Sequence, residues 1–289
     1  MKTGTADSPA SRALRRIATG LACLALISWP AVAPASPERS FGVVTQRSAV
    51  LTARYWNPIL AWVSARSGVE LRLRLPRSGA EASEMVGRGE FDFVYTNHNF
   101  LPKNEPAGYR VIVRPRGNGI RGEVVVLDDA PVKSLGELAG REVAFPSRAA
   151  FVGYAVTMHG LEEAGVRVEP VFAGNQEGAM AQMKLRRVAA ASVNSQVMRE
   201  YAAREGVGYR VLWRSGEFPD IPVSAHPRVS ASEVETVRAA LAAMADDAEG
   251  ARILAASAAL VKERPPYGFE ASSEDEYAGV RALYRGAAK

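Results

Sequence analysis

Apolar runs of strand length alternate with amphipathic runs of helix length along most of this chain, and the alternation restarts near residue 128. That pattern confines the chain to an α/β fold whose sheets are covered by helices. Phe41 to Val44 reads as a buried strand. Thr52 to Ser67 reads as a helix, with Trp56, Ile59, Leu60 and Val63 on one face and Gly68 ending it. Strands follow at Val69–Leu75, Phe91–Tyr95, Tyr109–Val113 and Glu123–Leu127, with a short helix at Ala80–Gly87. After Lys133, strands at Glu142–Phe145, Val166–Phe172, Val188–Val193 and Tyr209–Trp213 alternate with helices at Ala150–Ala164, Gln176–Arg186 and Gln196–Gly206. Helices over 234–245, 248–260 and 275–284 close the chain. The restart predicts two similar α/β lobes with parallel-type sheets, one from 36–127 plus 226–289 and one from 128–225. Ile221 to Ala225 is the segment that returns the chain to the first.

In open α/β sheets, ligands sit beyond the carboxyl ends of the strands, where loops lead into helices. Helix N-termini there offer free N–H groups and partial positive charge, which suit anionic or polar ligands. On this rule one wall of an inter-lobe cleft is Thr45, Gln46, Arg47 and Ser48 with Tyr95, Thr96, Asn97 and His98. The facing wall is Ser147, Arg148, Ala149 and Ala150 with Asn175, Gln176, Glu177, Asn194 and Ser195. Each has a plainer reading as well. Thr96 and Asn97 suit helix caps, Tyr95 suits a core, and Glu177 suits the start of a helix without any ligand. Arg148 opposes the dipole of the helix it opens, an unfavourable placement that favours a functional reading. Trp56 and Trp62 read as core. His159 reads as structural and His226 as a hinge residue.

The first 35 residues differ from the rest. Arg12, Arg15 and Arg16 precede an apolar run from Ile17 to Trp29, and Ala33-Pro34-Ala35 supplies small residues, so a signal peptide cleaved after Ala35 is expected. Lys2 and those three arginines against Asp7 place +3 of the +5 formal charge in this segment, leaving +2 on the mature chain. So small a charge gives no argument for nucleic acid. Cys23, the one cysteine, lies inside the apolar run, where Gly20 and the continuing apolar residues fit a lipid-attachment site poorly. No pair among the three histidines has metal-ligand spacing. No nucleophile elbow, Walker loop or dinucleotide fingerprint is present, so neither an enzyme nor a cofactor is expected.

The order of several motifs resembles the periplasmic phosphate/phosphite/phosphonate-binding proteins of ABC transporters. The resemblance is carried by Phe41-Gly42-Val43-Val44, Tyr55-Trp56-Asn57-Pro58-Ile59-Leu60 and Gly89-Glu90-Phe91-Asp92-Phe93-Val94-Tyr95. It continues through Ser134-Leu135-Gly136-Glu137-Leu138-Ala139-Gly140, Val143-Ala144-Phe145-Pro146, Phe172-Ala173-Gly174-Asn175-Gln176-Glu177 and Ala225-His226-Pro227-Arg228-Val229. It implies a type 2 periplasmic-binding fold, with two Rossmann-like lobes joined by hinge segments. It also implies a monomeric, non-catalytic solute-binding component that delivers a small oxyanion or phosphonate-like ligand to an inner-membrane ABC permease. A periplasmic sensor that docks on a signalling receptor, with a ligand other than phosphonate, is the alternative. The chain departs from the family where a Ser-Thr-Ser-type run is replaced by Ser147-Arg148-Ala149-Ala150, where histidine is replaced by Gln176, and where an acidic residue is matched by Asn194. Two alternatives follow: Arg47 or Arg148 supplies a charge-assisted grip in place of the lost hydroxyls, or the pocket accepts something other than phosphonate.

Overall fold

The computed structural model describes residues 38–287, together with Met1 and Gly4. The expected signal peptide and Cys23 lie outside the described residues. Two sheets organise residues 38–287. The first contains β1 (Arg39–Val43), β2 (Leu71–Arg74), β3 (Phe93–Tyr95), β4 (Arg110–Pro115), β10 (Val223–Ala225) and β11 (Phe269–Ala271), in the order β11-β4-β10-β3-β1-β2. The second contains β5 (Gly122–Leu127), β6 (Glu142–Phe145), β7 (Glu169–Phe172), β8 (Ala190–Asn194) and β9 (Tyr209–Arg214), in the order β7-β6-β8-β5-β9.

Two expectations are corrected by these pairings. β5 is antiparallel to β8 and β9, so it belongs to the second lobe and the first crossover lies between Pro115 and Gly122, not at 127/128. β10 pairs antiparallel with β3 and β4, so the return to the first lobe is complete before residue 226. Each sheet is therefore mixed. The parallel pairs come from strand–helix–strand units, and the crossing strands enter antiparallel.

The helices form where the periodicity placed them. α1 (Ala49–Ser67) starts at Ser48, whose hydroxyl accepts from the Leu51 N–H, and stops at Gly68 in the left-handed region (φ 72°). Its buried face carries Trp56, Ile59, Leu60 and Val63 onto the first sheet, with Trp56 5.3 Å from the Phe41 ring. α2 (Gly79–Gly87) follows β2. α6 (Ala231–Ala243) and α7 (Ala248–Val261) pack against α1. In the second lobe, α4 (Gln176–Lys184) and α5 (Ser195–Glu205) cover one face of the sheet through Met180, Met183, Val197 and Met198. The expected single helix over 150–164 is instead a π-helical turn, Phe151–Val156, running into α3 (Thr157–Glu163).

Behind the cleft, an apolar cluster joins the lobes. Phe100 and Val111 meet Ile120, Phe151, Val152 and Ile221, and the last helix, α8 (Ala278–Ala287), adds Val280 and Tyr284. The Tyr284 hydroxyl donates to the Ala149 carbonyl at 2.8 Å. The C-terminal segment therefore packs on both lobes rather than on the first alone.

Candidate functional site

The strand-to-helix junctions of the two lobes face each other across a cleft closed by main-chain hydrogen bonds. The Gly79 N–H donates to the Gly174 carbonyl at 3.1 Å, and the Glu177 N–H donates to the Gln46 carbonyl at 3.1 Å. The Ser48 N–H donates to Glu177 Oε2 at 3.1 Å. Glu177 is thus a cross-cleft acceptor, also paired with Arg204. Arg47, from the first lobe, forms a buried ion pair with Glu200 of α5. Gly79 is demanded by this closeness, because a Cβ there would lie 2.6 Å from Ser147 Oγ and 3.1 Å from Ser147 Cβ. We predict that Gly79→Ala leaves the thermal midpoint near that of the wild type but holds the lobes apart. Ligand titration and small-angle scattering should then report weaker binding and a wider molecule.

Within the cleft lie two adjoining chambers that share Gln46 and Asn194. The first is about 40 Å³, more than the 10–15 Å³ or so that one water requires. Its polar lining is Thr45, Gln46, Asn97, His98, Ser147, Asn175, Gln176 and Asn194, over an apolar floor that includes Ile120, Phe151 and Ile221. No Arg, Lys, Asp or Glu lines it. His98 is neutral at ordinary pH, since burial, helped by Lys103, lowers its pKa to about 4.

The chain fixes the chemistry of the second-lobe wall. Gln176 opens α4, and its Oε1 accepts from the Asn194 N–H at 3.0 Å. Asn194 caps α5, and its Oδ1 accepts from the Gln196 N–H at 2.9 Å. With both oxygens engaged, the amide orientations are set and their NH2 ends remain for the cavity. On the first-lobe wall, Asn97 Oδ1 and His98 Nδ1 are buried without a hydrogen-bond partner. The loop that carries them is held by the Thr96 hydroxyl, which accepts from the His98 N–H, and by Asn104, which donates to the His98 carbonyl.

The second chamber, about 50 Å³, is acidic and aromatic. Arg47, Glu200, Asp220 and Glu263 line it with Tyr55, Trp56, Tyr95 and Phe269. Tyr55 donates its hydroxyl to Glu263 at 2.8 Å. Three carboxyl groups face one guanidinium, an acidic excess that suits a positively charged group. Among the described residues no three His, Cys, Asp or Glu side chains converge in a way that would hold a metal ion. Burial, reinforced by Glu263 and Glu200, pushes Asp220 up to about 7 from an ordinary value of 3.8, and burial raises Glu263. The folded state thus holds a proton on Asp220 that the unfolded chain releases. Its contribution to stability is fully present below about pH 4 and is lost as pH rises through about 7, at up to ~1.4 kcal/mol per pH unit. Thermal unfolding should show a midpoint lowered by this group between about pH 4 and 7 in the wild type, with that contribution absent in Asp220→Asn.

The sequence-derived candidates divide accordingly. Thr45, Gln46, Asn97, His98, Ser147, Gln176 and Asn194 line the first chamber. Tyr95 and Arg47 line the second. Arg148 and Ala149 face an outer groove, where the Arg148 guanidinium lies 4.6 Å from the Phe172 ring and donates to the Tyr154 hydroxyl. Neither arginine expected to grip an anion in place of hydroxyls lines the first chamber: Arg47 pairs with Glu200 and keeps its buried Nε without a partner, and Arg148 stacks on Phe172. Thr96 and Ser195 are buried but line neither chamber. Thr96 is engaged in its own loop, and the Ser195 N–H donates to the Arg121 carbonyl. His226 follows β10 directly and packs edge-on against Tyr109. Gly79, Asp220 and Glu263 are lining residues that the junction rule did not reach.

Residues 41–277 match the family of ABC transporter phosphonate periplasmic substrate-binding proteins. The chain belongs to this family. Its members are solute-binding components of importers, so this chain serves a small-molecule ligand and a permease, and the family is periplasmic. Among curated proteins, none matches it in sequence. The fold is that of a binding-protein component of an ABC phosphonate transporter from Pseudomonas aeruginosa, at 16% identity and TM-score 0.76 over 88% of this chain and 87% of that chain. PhnD1 from Prochlorococcus marinus, in complex with methylphosphonate, shares it at 14% identity and TM-score 0.74 over 87% and 98%. So does the periplasmic aliphatic sulphonate-binding protein of Escherichia coli, at 14% identity and TM-score 0.57 over 86% of each chain. Among the described residues no helix is long and apolar enough to cross a membrane.

Proposed function

We propose that the first chamber takes the tetrahedral head of a small phosphonate and that the second takes its substituent, which carries a positive charge. The observation that carries this reading is the contrast between adjoining chambers. One is free of charged side chains and walled by oriented amide donors, and the other holds three carboxyl groups, one guanidinium and aromatic rings. Anions are held by dipoles and N–H groups at helix starts without a formal cation. An ammonium group is held by carboxylates and ring faces. The methylphosphonate complex of the Prochlorococcus relative supports the choice of head group.

Capture leaves the ligand unaltered, and the protein acts as a monomer in the periplasm after loss of residues 1–35, with no nucleic-acid partner. The lobes turn about the crossovers at 116–121 and 215–222, and the ligand-closed form is the one presented to the permease. Intrinsic fluorescence tests this, since Trp56 lines the second chamber. Titration with phosphate, phosphite, methylphosphonate and 2-aminoethylphosphonate is expected to give saturable responses to the phosphonates, with the aminoethyl compound tightest by about tenfold or more. A folded protein that responds to none of them contradicts the reading.

A further inference from the structure

As placed, and with the His98 proton on Nε2, Asn97 and His98 hold two acceptors that a fully ionised oxyanion does not satisfy. They are 5% and 3% exposed, they line the first chamber, and Asn97 Oδ1 and His98 Nδ1 have no hydrogen-bond partner. As placed, the Asn97 amide leaves its carbonyl oxygen without a partner. The neutral His98 ring offers one nitrogen lone pair. These acceptors belong to residues that share the chamber lining with Gln176 and Asn194, whose oxygens are engaged and whose NH2 groups are free to donate. A dianion has only lone pairs to offer. Its second charge would be buried in a chamber with no charged side chain, at a high desolvation cost. A singly protonated oxyanion presents oxygens to the donors and an O–H to the acceptors, and it halves the charge to be buried.

We propose that the first chamber selects the singly protonated form of its tetrahedral ligand through an acceptor on the Asn97–His98 wall. The proposal rests on the phosphonate reading above and adds the ionisation state that is recognised. A phosphonate monoanion bearing an ammonium group, which has no net charge, is the species that both chambers accommodate.

Several groups around the site titrate or carry charge. On the first lobe these are His98, Lys103, Arg47, Tyr55, Tyr95 and Glu263, and on the second Glu177, Glu200 and Arg204, with Asp220 in the returning crossover. Of these, Asp220, near 7, falls in the range where a phosphonate loses its second proton, so it is controlled for directly.

The test is calorimetric titration of the full mature protein with methylphosphonate and with methanesulfonate, from pH 5 to pH 9. The sulfonate is a monoanion throughout and has no O–H to donate. The expected result is a methylphosphonate affinity that is level while the monoanion predominates and then falls about tenfold per pH unit once the second proton is lost. The same fall is expected in Asp220→Asn, whatever its absolute affinity. Methanesulfonate should bind at least about tenfold more weakly than the methylphosphonate monoanion. Asn97→Leu, checked for folding by circular dichroism, should narrow the gap between the two ligands. A methylphosphonate affinity that is flat or rises through its second ionisation overturns the proposal but leaves the phosphonate reading standing. So does a fall that vanishes in Asp220→Asn, or a sulfonate that binds as well as the phosphonate. Absence of methylphosphonate binding at every pH removes the phosphonate reading and this proposal with it.

Discussion

Gln176→Ala is expected to weaken methylphosphonate binding about 100-fold or more, measured by calorimetry at a pH where the ligand is a monoanion. Two losses combine. The first is a hydrogen bond from Nε2 to a charged ligand, worth ~1.5–3 kcal/mol. The second is the partner of the buried Asn194 N–H, which Gln176 Oε1 satisfies at 3.0 Å. An orphaned buried donor costs a further ~1–3 kcal/mol. That second loss also frees Asn194, whose side chain caps α5 and lines both chambers. The wall is therefore predicted to lose its order as well as one donor. Gln176→Glu separates the two effects. It keeps an oxygen for the Asn194 N–H but replaces the NH2 donor with a second acceptor that repels the ligand. Folding should be near normal in this variant, and binding should be abolished.

Arg47→Ala is expected to cost a similar amount by a different route. Arg47 and Glu200 meet across the cleft with side chains 16% and 9% exposed, so their pairing exists only while the lobes are together. Removing one partner of a buried pair leaves an uncompensated charge, at ~3–5 kcal/mol. Here Asp220 and Glu263 line the same chamber, so the abandoned Glu200 gains no relief from its neighbours. The penalty falls on the closed form alone, since an opened cleft returns Glu200 to water. Apparent affinity should fall about 100-fold or more, with little change in the unfolding midpoint of the ligand-free protein. Replacing both partners by methionine should recover much of the loss, because a buried pair exchanged for apolar side chains is often neutral. Failure of the double variant to recover would show that the guanidinium acts on the ligand directly and not as a clasp.

The elements were legible in the sequence because strands and helices differ in period, and α1 was marked at its end by Gly68. Which sheet a strand joins was less legible. The apolar run Val124-Val125-Val126 is equally suited to either lobe, and only its pairing with β8 and β9 places it. The turn residues Gly117-Asn118-Gly119 just before it were the available signal for the crossover. All seven candidates in the first chamber sit at a strand's end, within three residues after one, or at the start of a helix, where the junction rule applies. The arginines misled because a charge in a sequence says nothing about its partner. Glu200 lies 153 positions from Arg47, and Phe172 comes from a separate strand beside Arg148. The acidic chamber was invisible for the same reason, since Glu200, Asp220 and Glu263 converge from a helix, a crossover and a loop.

The proposed capture requires an anion held between two walls with no cation touching it. A crystal structure of the protein grown with saturating methylphosphonate tests this most directly. It is predicted to place phosphonate oxygens within hydrogen-bond distance of Gln176 Nε2, Asn194 Nδ2 and Ser147 Oγ, with Asn97 or His98 receiving the remaining O–H. Density for the phosphonate against Arg148 in the outer groove, or in contact with the Arg47 guanidinium, would contradict it.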